Sequence, residues 1–314
     1  MSIIEVNLHD NPPFQVLPTP VDTGTTPGGI AVSPDGKYVF VTNIDDNSVT
    51  VFSGTPPFQL VAASVSAGNR ANSLAVSPDN RYVFVLNSGS GKLSVIDTAN
   101  APLFNVIEGP ALDPNWNRDK FGVGGISTSP DGHYLFVSTS SFRQPGSKEI
   151  DSHLRVVQIK ADANPPYQVL PALLLAPTPP NAISCGVAVS PDGHYVFVAS
   201  CVSDSPSQSS VSVIEVSSGP SFQVLSPALS TGPDALCLTV SPDGRFLFVT
   251  SDKGLLVWVI DKNSNPPVQL LQTLQAGPQP RAVAASPDSR FVFVGNYDGD
   301  SGSISVIELA VVSM

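Results

Sequence analysis

The chain has 314 residues, a formal net charge of −11 and only 13% charged side chains. It has no Lys/Arg cluster to hold a nucleic-acid backbone or an anionic lipid surface, so neither is an expected partner. It also lacks an apolar run approaching about 18 residues, so no spanning helix is expected.

The opening MSIIEVNLHD has no basic stretch followed by an apolar core, so no secretory signal is expected. Three cysteines, Cys185, Cys201 and Cys237, are too few and odd in number for a disulfide framework. A cytoplasmic location is the expectation from both.

In chain order, residues 3–6 (IIEV) read as a short strand, and Phe14-Gln15 as a second. Then a phrase begins that recurs six times: Ser33-Pro34-Asp35-Gly36, followed by Tyr38-Val39-Phe40-Val41, with equivalents starting at Ser77, Ser129, Ser190, Ser241 and Ser286. A repeat of this length carrying a turn inside an apolar alternation marks a repeat architecture. Pro presets the first central turn position, Asp suits the next, and Gly accepts φ > 0 where the chain reverses.

Each unit reads as four strands, a to d. Strand a precedes the turn and strand b follows it, with aromatics two apart from Tyr38/Phe40 to Phe291/Phe293. Strand c resembles VSVIEV at 211–216. Strand d carries the phrase Phe58-Gln59, Phe104-Asn105, Tyr167-Gln168, Phe222-Gln223 or Val268-Gln269. Strand b is apolar on both faces, as expected of a sheet covered on both sides. The position four before each Ser is small (Gly29, Ser73, Gly125, Gly186, Cys237, Ala282), which suits inner strands crowding near an axis. The predicted fold is all-β: a six-bladed propeller with four antiparallel strands per blade, in one domain over 1–314 with repeats starting near 28, 72, 123, 184, 235 and 281. The last unit has no d phrase, so the N-terminal Phe14-Gln15 strand is predicted to complete the C-terminal blade. Residues 3–6 then form an extra outer strand or take the place of the C-terminal c strand.

The unit from Ala31-Val32-Ser33-Pro34-Asp35-Gly36-Lys37-Tyr38 to Asn43, with Leu93-Ser94-Val95-Ile96-Asp97 later, resembles the YVTN-type propeller repeat. The resemblance spans all six units and implies the fold. It is shared by surface-layer-type propellers and by lactonases that open 6-phosphogluconolactone or related rings, which have seven blades. Six-bladed calcium hydrolases of the gluconolactonase type place carboxylates at the inner strand ends. The corresponding positions here are Gly28, Asn72, Gly124, Cys185, Leu236 and Arg281, so no metal and no cofactor is expected.

Two long stretches, 108–122 and 139–152, read as loops on the face away from the SPDG turns, where propellers hold ligands. They supply Trp116, Arg118, Asp119, Lys120, Phe142, Arg143, Lys148, Glu149 and Asp151, with His153 next in sequence. His153 opens a c strand two residues after Asp151, a candidate general-base pair; a solvated strand end has the same pattern. Arg281 and Asn72 sit at the channel mouth. Arg281 there needs a ligand anion or an acidic neighbour such as Asp298 or Asp300. Cys185 and Cys201 fall on antiparallel strands of one blade, which places the thiols near each other without a metal-ligand spacing. His133 and His194 follow the turn and read as structural.

Two functions fit. One is a scaffold binding a small molecule or protein partner on the long-loop face through Trp116, Arg118, Phe142, Arg143, Asn72 and Arg281. The other is a lactonase-like hydrolase, or a biosynthetic cyclase or isomerase, acting on a small anionic substrate with His153 and Asp151 in proton transfer. A monomer or weak homodimer is expected.

Overall fold

The computed structural model describes residues 1–6, 14–17, 20–112, 124–142, 150–160, 163, 166–175, 182–201, 209–217, 221–232, 234–264, 266–297, 299 and 302–309. They fall into two compact units, Met1–Gly109 and Pro110–Met314. Every regular element among them is a strand, and no helix is long and apolar enough to cross a membrane.

In the first unit, β1 (Ile4–Val6) pairs with β2 (Phe14–Val16). The first blade follows as β3 (Pro27–Val32), β4 (Tyr38–Asn43), β5 (Ser48–Ser53) and β6 (Leu60–Ser66). The second is β7 (Ala71–Val76), β8 (Tyr82–Asn87), β9 (Lys92–Asp97) and β10 (Asn105–Ala111). In the second unit, the third blade is β11 (Ile126–Thr128), β12 (Tyr134–Phe142), β13 (Ile150–Ile159) and β14 (Tyr167–Val169), with β15 (Leu173–Leu174) also on β13. The fourth is β16 (Ile183–Val189), β17 (Tyr195–Cys201), β18 (Ser210–Ser217) and β19 (Ser221–Ser230). The fifth is β20 (Leu238–Val240), β21 (Phe246–Ser251), β22 (Gly254–Ile260) and β23 (Val268–Leu274). The sixth is β24 (Pro280–Ala285), β25 (Phe291–Tyr297) and β26 (Gly302–Glu308). Neighbours are antiparallel and in sequence order, the blade pattern of a six-bladed β-propeller. The predicted N-terminal strand is present; its hydrogen-bonded neighbour is β1, and the sixth sheet has three strands.

Each a–b turn is closed by the same hydrogen-bond clip. In the fourth blade Ser190 Oγ donates to Asp192 Oδ1 and accepts from the Tyr195 amide, while Asp192 Oδ1 also accepts from the His194 amide. The same three bonds recur at Ser33, Ser77, Ser129, Ser241 and Ser286. The fourth turn residue has φ > 0 in each turn, and at two turns it is not glycine but Asn80 or Ser289. These two use their side chains: Asn80 Oδ1 accepts from the Asp35 amide and Ser289 Oγ from the Asp243 amide of the preceding blade.

Alternate residues of strand b pack on different neighbours. Phe197 and Ala199 of β17 join Leu247 and Val249 of β21, whereas Val196 and Val198 join Phe136 of β12 and Leu154 of β13. The d-strand aromatic packs on the previous blade: Phe222 lies edge-on to Tyr134 and Phe136, and Phe104 to Tyr38 and Phe40. The small position in strand a is a steric requirement, since a Cβ on Gly125 would lie 2.5 Å from the Val187 amide nitrogen.

The long-loop reading needs correction. Glu108 to Ala111 belong to β10, where Glu108 meets Lys92 Nζ at 2.8 Å. Thr139 to Phe142 and Ile150 to Ser152 are paired strand residues of a β12–β13 hairpin. Short polar residues suggest a loop, but in the blade Ser140 and Ser152 bond to backbone groups of the next blade. Ser140 Oγ accepts from the Ser184 amide, and Ser152 Oγ donates to the Ala182 carbonyl.

Gly125→Ala is expected to destabilise the fold by about 1–3 kcal/mol, because the neighbour it would strike is backbone; a melting temperature equal to wild type would refute this. Burial opposes ionisation of Asp192, but hydrogen bonds from Lys262, Ser190 and His194 outweigh it and hold the carboxyl well below its usual range. A depressed folded-state value stabilises fully above the unfolded value of about 3.9 and is lost as pH falls below it. The melting temperature of Asp192→Asn should therefore lie below wild type at pH 7, and the gap should close towards about pH 2. A gap independent of pH would exclude this linkage.

Candidate functional site

At the blade ends opposite the SPDG turns, the chain turns into strand a and, nearby, from strand b to strand c. In four blades the turn into strand a holds a non-glycine residue at positive φ: Thr26 at 53°, Arg70 at 57°, Asp234 at 47° and Gln279 at 42°. Such backbone strain persists only where surrounding bonds over-determine it, and it often accompanies ligand sites. In the first two blades the bonds that hold it come from the end of strand b. Asn43 Oδ1 accepts from the Gly24 amide, and Asn87 Oδ1 from the Gly68 amide.

In the first unit the polar groups of this rim satisfy one another. Asp46 accepts from the Thr25 amide and Asp45 from the Thr26 hydroxyl. Arg70 approaches Asp45 at 3.9 Å, and its amide donates to Asn47. Asn72 is buried, with its carbonyl accepting from Thr42 Oγ1 at 2.7 Å.

The second unit differs. Asp234, half-buried, hydrogen-bonds the side chain of Asp252 in the β21–β22 turn. Burial, the charge of Asp252 and that bond push the Asp234 carboxyl above its usual range, against the pull of Arg281. The charge of Asp252 disfavours a second charge on Asp234. Arg281, exposed, is steadied by Gln279, whose Oε1 accepts from Arg281 Nη2 at 3.1 Å. Arg281 also acts on Cys201, whose Sγ lies 2.8 Å from Cys185 Sγ. Asp234, Asp252, Arg281 and the two thiols thus form one electrostatically coupled group spanning the fourth to sixth blades.

Of the residues singled out in the sequence, Arg281 belongs to this group and Asn72 holds the equivalent place in the first unit. His153 lies inside β13, opposite Thr139 on one side and Leu174 on the other. It does not open the strand as expected, because β13 begins at Ile150. Asp151 stands opposite Ser141, and Phe142 ends β12 opposite Ile150. Trp116, Arg118, Asp119, Lys120, Arg143, Lys148, Glu149, Asp298 and Asp300 lie outside the described residues. His133 and His194 lie at the SPDG turns, with Nδ1 3.1 Å and 3.4 Å from the carboxylates of Asp131 and Asp192. The sequence reading passed over Asp234 and Asp252. The signal was present as a repeated glycine two residues before each strained position, at Gly24, Gly68, Gly232 and Gly277.

Five serine hydroxyls of the fourth blade, on Ser184, Ser200, Ser209, Ser210 and Ser212, are buried without a partner among the described residues. Buried hydroxyls of this kind are usual partners of ordered water. A cleft of about 380 Å³ opens at the SPDG end of the first unit between Lys37, Asp79, Asn80 and Arg81. Its Lys37 is already paired with Asp35 at 2.9 Å. Among the described residues no group of three or more His, Cys, Asp or Glu side chains is placed to hold a metal ion.

The family described as Lactonase, 7-bladed beta-propeller matches residues 4–101 and 223–312. The chain belongs to this lactonase family of β-propellers. The match spans β1 to β9 and the fifth and sixth blades, so it includes Asp234, Asp252 and Arg281. No curated protein matches the sequence. Among solved structures, the chain is similar to the periplasmic gluconolactonase of Pseudomonas aeruginosa, at 20% identity, with 95% of this chain and 92% of that one covered and a TM-score of 0.63. It is also similar to a gluconolactonase of Xanthomonas campestris, at 15% identity, 87% and 83% coverage and a TM-score of 0.54. The β-propeller domain of Cps50 (Swd1) from Myceliophteria thermophila is as alike in fold, at 12% identity, 93% and 88% coverage and a TM-score of 0.66. At these identities the structural likeness speaks to fold alone.

Asp234 should titrate above the ordinary aspartate value of about 3.9. In Asp252→Asn its midpoint should fall, because a neutral amide replaces the neighbouring charge. Carboxyl carbon shifts followed against pH measure both, and an unchanged midpoint would show that Asp252 is not the cause.

Proposed function

We propose that this chain hydrolyses a small lactone bearing a carboxylate or phosphate, at the second-unit rim made by Asp234, Asp252 and Arg281. The observation that carries the reading is the half-buried Asp234, its carboxyl pushed up by burial and by neighbouring Asp252 with a guanidinium nearby, in a chain of the lactonase family. Lactone opening needs a base to activate water and an acid to protonate the leaving ring oxygen. A carboxyl pair holding one proton supplies both.

In this scheme Arg281 binds the anionic group and places the ring. The Asp252 carboxylate takes a proton from water, and the oxygen of that water bonds to the lactone carbonyl carbon. The tetrahedral adduct collapses, the ring C–O bond breaks, and the Asp234 proton passes to the released oxygen. Transfer across the Asp234–Asp252 hydrogen bond then restores the starting state. His153 with Asp151, on the third blade, is the second candidate base.

The test is hydrolysis of aldonolactones, phosphorylated and unphosphorylated, followed by acid release at constant pH. Asp234→Asn should lower kcat by about 10²- to 10⁴-fold, the usual weight of one acid–base group. Arg281→Ala should raise KM for the phosphorylated lactone by about 10- to 100-fold, as expected for a lost charge-assisted bond, with little change for the neutral one. Thermal stabilisation by these lactones without turnover above the spontaneous rate would replace hydrolysis with a binding role. Full activity in Asp234→Asn with loss in His153→Ala would move the chemistry to the third blade.

A further inference from the structure

Cys185 and Cys201 occupy an unusual place in the fourth blade. Ile183 stands opposite Cys201 and Ser184 opposite Ser200, but the register then shifts before Val187, so Cys185 lies in a β-bulge. In a regular ladder Cys185 would be a diagonal neighbour of Cys201, with Cα atoms about 7–8 Å apart, beyond the reach of a disulfide. The bulge re-aims Cys185 and brings the sulfurs to 2.8 Å, so a bond of about 2.05 Å needs a shift of less than about 1 Å. Both cysteines are half-buried rather than sealed in the core. The bond between them divides their roles. The Cys185 thiol is pushed well up by Cys201 and by burial. Cys201 is held below the usual thiol range by that bond, with help from Arg281 against burial and Asp234. Cys237, in the turn before β20, has its thiol pushed up by burial and forms an internal reference.

We propose that Cys185 and Cys201 form a thiol–disulfide exchange site, with Cys201 attacking and Cys185 resolving, whose co-substrate is a low-molecular-weight disulfide. The Cys201 thiolate bonds to one sulfur of the small disulfide, and the S–S bond of that molecule breaks to release a thiolate. The released thiolate takes the Cys185 proton. Cys185 then bonds to Cys201 Sγ and expels the second half as a thiolate. Two electrons leave the protein pair, and one small disulfide becomes one thiol and one thiolate. Its readout is sulfur chemistry with no lactone present, so its failure is distinguishable from failure of lactone hydrolysis.

The test uses the full chain, reduced and then exposed to oxidised glutathione. The reaction is quenched in acid, remaining thiols are alkylated, and the products are read by intact mass and peptide mapping. Wild type should lose two of its three alkylatable thiols, gain no glutathionyl mass, and yield a 185–201 cross-linked peptide. Cys185→Ser should hold one glutathionyl group on Cys201, and Cys237→Ser should behave as wild type. Cys201 should react at least about tenfold faster than Cys237. Wild type that keeps three thiols, a stable glutathionyl adduct without the internal bond, or Cys237 reacting as fast as Cys201 would each overturn the proposal. The wild-type cross-link decides the matter even if Cys185→Ser fails to fold, which circular dichroism would show.

Discussion

The serine–aspartate clip at each a–b turn is the interaction on which the remaining architecture depends. One serine oxygen and one carboxylate oxygen tie the reversal to the first amides of strand b, and they do so identically in six blades. With the reversal fixed, register fixes which face each strand b residue takes. In β17 that sends Phe197 towards the fifth blade and Val198 towards the third. A one-residue slip would exchange every such pair. Because the clip uses only the side chains of Ser and Asp, the residue after it is free to vary: Lys37 and the two histidines pair with the carboxylate, while Arg81, Arg245 and Arg290 stack over the next aromatic ring.

What the sequence discloses follows from which signals are local. Turn chemistry and alternation of period two are local, so the six blades and their strand order are readable from the residues alone. The steric demand at Gly125 is readable in outline, because its equivalents are also small. The β12–β13 hairpin is misread because serine serves loops and strands alike, and the role of Ser140 and Ser152 depends on the Ser184 amide and Ala182 carbonyl of the next blade. The nearness of Cys185 and Cys201 is legible from antiparallel pairing; the bulge that sets their contact is not. Asp234 and Asp252 are 18 positions apart in sequence and carry no spacing motif. Only the fold makes them a pair.

The rim shows how a repeat supports chemistry without becoming regular. The same strained turn presents a threonine, an arginine, an aspartate or a glutamine in the first, second, fifth and sixth blades. In the first unit Arg70 faces Asp45, and the charges close on themselves. In the second, two carboxyls face each other and the guanidinium stands one turn further on. Identical backbones thus hold a neutralised edge in one unit and an unbalanced one in the other.

The joints between neighbouring blades at the SPDG end differ in chemistry. Between the first and second blades, and between the fifth and sixth, the joint is a neutral hydrogen bond from an aspartate amide, to Asn80 and Ser289 respectively. Between the fourth and fifth it is the ion pair of Asp192 with Lys262. Salt screens an exposed ion pair and leaves neutral hydrogen bonds largely untouched. Among these described joints at the SPDG end, rising ionic strength weakens the one between the fourth and fifth blades and leaves the two neutral ones largely untouched.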